Sequence, residues 1–152
     1  MPVVEDHTYI ARAPEEVFHY LSRPENLPLW DSSIVQVEQV DPGPLARGTR
    51  WRGVSKIMGR RFDWTTEVTD VHPPSRMDSR SIEGKLTFAV VYSLKPEGDG
   101  TRLTYRVEAA SGLGGVFGRF ADPLVQSAQS RSVRANLERL AGLLGSSAVV
   151  DS

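Results

Sequence analysis

The chain has 152 residues, enough for one domain with one core, and its 39% apolar and 24% charged residues exclude disordered, collagen-like and membrane-embedded classes. A net charge of −1 provides no global field toward nucleic acid or an anionic membrane. The absence of cysteine excludes a disulfide framework, a thiolate nucleophile and a sulfur-ligated zinc site; with no apolar run near ~18 residues and no secretory pattern at Met1-Pro2-Val3, the expectation is a cytoplasmic protein without a membrane span.

Residues Val3 to Ala11 are extended in character. Ala13-Pro14-Glu15-Glu16 then opens a helix, with proline in the first turn and two acids at the positive end of the dipole. The helix is predicted from Glu15 to about Ser22, with Val17, Phe18 and Leu21 as its apolar stripe, and Arg23-Pro24 ends it. Between Pro24 and Pro28 only a second short helical turn fits, reaching Trp30.

Ile34 to Val40 alternates as a strand and stops at the loop Asp41-Pro42-Gly43-Pro44. Arg47 to Ile57 follows, with Thr49, Trp51, Gly53 and Ser55 on one face and Arg50, Arg52, Val54 and Lys56 on the other. After a turn at Met58-Gly59 comes an aromatic and β-branched strand, Phe62 to Val68, closed by His72-Pro73-Pro74. Arg76–Ile82, Leu86–Leu94 and Arg102–Ala109 complete an antiparallel meander through turns at Glu83-Gly84 and Pro96–Gly100. Beyond a glycine-rich hinge at 111–115, one long helix is predicted to Leu144, ending at Gly145-Ser146-Ser147.

The expected architecture is α+β: a curved seven-stranded antiparallel sheet, two short helices after strand one, and a long C-terminal helix. It forms a single domain over residues 1–145 followed by a flexible tail, 146–152. The sheet must bury one face, and only the last helix is large enough to cover it. A curved sheet closing around one helix leaves a volume that side chains need not fill, which is a ligand pocket by default.

Ile10-Ala11-Arg12-Ala13-Pro14-Glu15-Glu16-Val17-Phe18 and Pro24-Glu25-Asn26-Leu27-Pro28-Leu29-Trp30 resemble the opening of the polyketide cyclase/dehydratase and lipid-transport branch of the START-like, birch-allergen-like superfamily (SRPBCC). Gly48-Thr49, Glu67-Val68, Pro73 to Met77, Gly100 to Tyr105 and Asn136 to Leu140 follow in that family's order, so the resemblance spans about Val4 to Leu144. It implies the helix-grip fold and an internal pocket. It does not name a reaction, because the family includes aromatases, cyclases and carriers of hydrophobic or quinone-type ligands.

Strand parity nominates the pocket wall. Trp51 opposes the Arg-Arg-Lys face of its strand, while Trp64 and Thr66, Phe88 and Tyr92, and Tyr105 occupy the inward faces of three later strands. Buried phenols need hydrogen-bond partners, so Tyr92 and Tyr105 are candidates to hold a ligand carbonyl or enolate. The last helix carries two stripes about half a turn apart: Phe117, Phe120, Leu124 and Ala128, and Val133, Leu137, Leu140 and Leu144. A kink or restart at Pro123 turns the phenyl stripe inward; a straight continuation of the second stripe brings Gln126 and Gln129 into the pocket instead. The kink is the preferred expectation.

Other chemistry finds little support. His7, His19 and His72 are scattered, so no metal site is expected, and no cofactor. Gly112 to Gly118 lacks the third glycine of a dinucleotide loop, with Phe117 in its place, and is read as a hinge that forms a lid. The leading expectation is an apolar or aromatic small-molecule binder, monomeric or weakly dimeric. The alternative is a cofactor-free cyclase or dehydratase using Tyr92, Tyr105 and Arg80, the last only if its strand register is reversed. A second alternative is an interaction module using the basic run Arg47, Arg50, Arg52, Lys56, Arg60 and Arg61, although no interleaved aromatic makes it suited to nucleic acid.

Overall fold

Two prolines fix the start of the fold. In a computed structural model describing residues 3–57, 59–109 and 123–150, β1 (Val3–Ile10) leads into α1 (Pro14–Leu21), whose Pro14 occupies the first turn with Glu15 and Glu16. A 3-10 turn (Pro24–Asn26) and α2 (Leu27–Trp30) follow, and each begins where proline can be accommodated.

Next come β2 (Ile34–Gln39), β3 (Arg50–Ile57), β4 (Arg60–His72), β5 (Arg76–Gly84), β6 (Phe88–Glu97) and β7 (Gly100–Ala109). The seven strands form one antiparallel sheet in the order β1-β7-β6-β5-β4-β3-β2. β3 starts at Arg50 rather than Arg47 because Gly48 has φ +92° and the Thr49 hydroxyl accepts from the Ala46 amide at 3.0 Å, which makes a turn. The β4–β5 register shifts twice, at Thr65/Thr66 and Val68/Asp70, and such bulges bend a strand.

The long helix α3 (Pro123–Val150) begins at its proline and passes through Gly142 and Gly145 to Val150, beyond the end expected at Gly145. Glycine weakens a helix interior by only about 1 kcal/mol, and no proline follows to stop it. Its buried stripe is Val133, Asn136, Leu137, Leu140 and Leu144. Arg134 fastens the helix to β1, donating from Nε to Asp6 at 2.9 Å and from the guanidinium to the His7 carbonyl at 2.8 Å, with a further ion pair to Asp6.

Packing divides the interior. Ile10, Val17, Leu21 and Leu103, all essentially inaccessible, seal the end nearest α1. Toward the other end, the large aromatics of β3, β4, β6 and β7 enclose open volume beneath α3.

Candidate functional site

The open volume is a cavity of about 380 Å³. Its walls follow strand parity: Trp51 and Ser55 from β3, Trp64, Thr66 and Val68 from β4, Met77 and Ser79 from β5, Phe88, Val90 and Tyr92 from β6, and Tyr105, Val107 and Ala109 from β7. α3 supplies Gln129, Ser132, Val133 and Asn136, and the segment after α2 supplies Asp31, Ser32 and Ser33.

The indoles are held by polar bonds as well as by packing. Trp64 Nε1 donates to Ser55 Oγ at 2.8 Å, and Trp51 Nε1 donates to Gln39 Oε1 at 3.2 Å. The Trp64 ring lies over Gly53, where a Cβ would sit 2.5 Å from its atoms, so β3 needs glycine there. Phe88 meets Trp64 edge to face at a centroid distance of 5.9 Å.

Tyr92 and Tyr105 are directly paired across β6 and β7, with ring centroids 5.5 Å apart. Trp30 packs edge-on against both, at 6.3 and 6.2 Å. Among the described residues neither phenol hydroxyl has a hydrogen-bond partner, and Trp30 Nε1 is a buried donor without one. Burial raises both phenol pKa values, and the charge of Asp31 pushes the same way, so both hydroxyls stay protonated as donors.

Nothing in the sequence singles out Asp31, yet it sits at the polar end of the cavity. Its Oδ1 accepts the Ser33 amide at 2.9 Å, the Ser33 hydroxyl at 2.8 Å and the Asn136 side-chain amide at 3.2 Å. Asn136 Oδ1 in turn accepts from the Ser32 amide at 3.2 Å. No ion pair among the described residues reaches Asp31, and burial pushes its carboxyl above the usual range despite the Ser33 bonds, which pull the other way. Asp31 and Tyr105 are both half-buried and both line the cavity.

Of the nominated residues, Trp51, Trp64, Thr66, Phe88, Tyr92, Tyr105 and Gln129 line this one cavity. Arg80 does not. It is exposed on the outer face of β5, paired with Glu67 and Ala89, because Met77 and Ser79 take the inner positions; the register reversal that would bring it inside does not occur. Phe117, Phe120 and the Gly112–Gly118 hinge lie outside the described residues, as do the side chains of Leu124 and Gln126. The described roof is polar, made by Gln129, Ser132 and Asn136 around Val133. Part of the basic run is engaged by other side chains: Arg50 makes a bidentate pair with Asp41, Arg52 meets Glu38 at 3.4 Å, and Arg60 stacks on Phe62.

Residues 1–145 match the family described as polyketide cyclase / dehydrase and lipid transport. The chain belongs to this family. No curated protein matches it in sequence at a significant level. Its fold is similar to a Thermus thermophilus protein of known structure, with TM-score 0.79 and 27% identity over 96% of this chain and 99% of that one. It is also similar to a START superfamily protein from Mycobacterium smegmatis, with TM-score 0.76 and 17% identity over 93% and 96% of the two chains. The di-domain ARO/CYC BexL of the BE-7585A biosynthetic pathway aligns with TM-score 0.68 and 17% identity, over 93% of this chain and 46% of that one. The family's helix-grip architecture is the one described above, and no described helix is long and apolar enough to cross a membrane.

Proposed function

We propose that the protein binds an apolar or aromatic small molecule, of polyketide, lipid or quinone type, inside this cavity. The observation that carries the reading is the cavity itself. Its 380 Å³ falls in the range of about 300–1,000 Å³ typical of ligand pockets, and aromatic and aliphatic walls surround a few convergent polar groups. A side chain as large as Trp64 could have filled the space from several lining positions, yet Ser55, Thr66 and Ser79 stand there. Native mass spectrometry of the protein purified from cells tests this, with a bound mass that organic extraction removes as the expected result. A ligand-free protein that also fails to take up fatty acids or naphthoquinones would overturn it.

A second reading, a cofactor-free cyclase or dehydratase, is favoured by one observation: a carboxyl of raised pKa and two un-ionised phenols share the cavity. Such a set can move a proton and hold an enolate oxygen. Turnover of a poly-β-keto substrate that disappears in Tyr92→Phe or Tyr105→Phe while the fold persists would support it; turnover unchanged in both would reject it.

A further inference from the structure

The polar end of the cavity is asymmetric in its hydrogen bonding. Asp31 Oδ1 accepts three bonds from Ser33 and Asn136, whereas Oδ2 has no partner among the described residues, and the residue lines the cavity. A carboxylate oxygen in a cavity with largely apolar walls gains by a hydrogen bond that the described residues do not supply and a ligand can. The three bonds to Oδ1 fix the orientation of the carboxylate plane, so Oδ2 is preorganised rather than free to turn toward the protein. In the same cavity, the Tyr92 and Tyr105 hydroxyls likewise lack described partners. Asp31 thus offers a ligand an acceptor, and the two phenols offer it donors.

We infer that the cavity selects an aromatic ligand bearing both a hydroxyl and a carbonyl, the hydroxyl donating to Asp31 Oδ2 and the carbonyl oxygen accepting from Tyr92 and Tyr105. The inference rests on the cavity reading above and sharpens it. A hydrocarbon tail or a simple quinone fills the apolar walls but leaves Asp31 unpaired, whereas a hydroxy-aryl ketone can pair with the carboxylate and with the phenols. Specificity of this kind comes from the penalty on the ligand that leaves a buried group unmatched. Asp31 is then a recognition residue, and Ser33 and Asn136 are the positioning residues that aim it.

The test compares two probes of nearly equal shape, 6-hydroxy-2-acetonaphthone and its methyl ether, titrated calorimetrically at pH 7 into the wild-type protein and D31N. Asn at 31 keeps the Oδ1 acceptor for Ser33 and Asn136 but replaces Oδ2 with a donor. The expected result is that the hydroxyl probe binds the wild type about tenfold more tightly than the ether, as for one hydrogen bond to a charged group, and that D31N loses or inverts this preference. Y92F should weaken both probes alike. Equal binding of the two probes by the wild type, or a preference that persists in D31N, overturns the inference and leaves the apolar cavity reading standing. Binding of neither probe also overturns the inference, and the cavity reading is then decided by fatty-acid and naphthoquinone uptake. The wild-type ratio alone decides should D31N fail to fold.

Discussion

Asn136 on α3 donates to the Asp31 carboxylate at 3.2 Å, and its own carbonyl oxygen accepts the amide of neighbouring Ser32 at 3.2 Å. One buried side chain on the last helix thus clamps the α2–β2 junction, 105 residues earlier in the chain, against the roof of the cavity. Loss of both bonds in Asn136→Ala should cost about 1–3 kcal/mol, at about 0.5–1.5 kcal/mol for each net hydrogen bond. Urea unfolding followed by circular dichroism measures it, and a change of a few tenths would show that the clamp carries no stability.

Asp31 predicts a pH signature. Burial raises its pKa from the usual 3.8, so across the interval between 3.8 and the folded value the native chain retains a proton that the unfolded chain has lost. Stability from this group is therefore full below 3.8 and falls as pH rises through that interval. Asp31→Asn removes the titration and keeps the Oδ1 bonds. Its stability relative to the wild type should improve as pH rises from about 4 through the folded-state titration of Asp31 in thermal melts, whereas a gain that is flat with pH would contradict the cause given.

Gly53 and Trp64 form a close pair, since a Cβ at 53 would meet the indole at 2.5 Å. Gly53→Ala should destabilise by about 1–3 kcal/mol, the usual cost of overpacking. Trp64→Phe withdraws the atoms in conflict, so the double variant should lose less than the sum of the two singles. Additive losses in that cycle would mean that the contact is not what excludes a side chain at 53.

Arg80→Ala should leave stability within about 0.5 kcal/mol and ligand affinity unchanged, as for other substitutions at exposed sites. A tenfold loss of binding would place its guanidinium inside the cavity.

How much is legible in the sequence follows from the range of each signal. Strand parity needs only neighbouring residues, so the Arg-Arg-Lys face of β3 suffices to point Trp51 inward, and the same alternation assigns Trp64, Phe88, Tyr92 and Tyr105. Arg80 is ambiguous in sequence because Arg76, Asp78 and Arg80 alternate with Met77 and Ser79, and only pairing with Val90 and Tyr92 settles which set faces inward. Asp31 escapes notice because nothing local marks it as a cavity residue. Asp31 followed by Ser33 reads as an ordinary side-chain turn, and its burial depends on Asn136, far along the chain. A signal is available in α3, where Asn136 interrupts the apolar stripe between Val133, Leu137 and Leu140: a polar residue on a buried helical face needs a partner.

The central claim is that this family member holds its ligand inside the sheet and not on its surface. The most direct measurement is titration of wild type and Val90→Trp with N-phenyl-1-naphthylamine, because Val90 lines the cavity and an indole there occupies its volume. One saturable site in the wild type, weakened at least about tenfold in a variant that still unfolds cooperatively, is the predicted result. No saturable site, or the same affinity in both proteins, would contradict it.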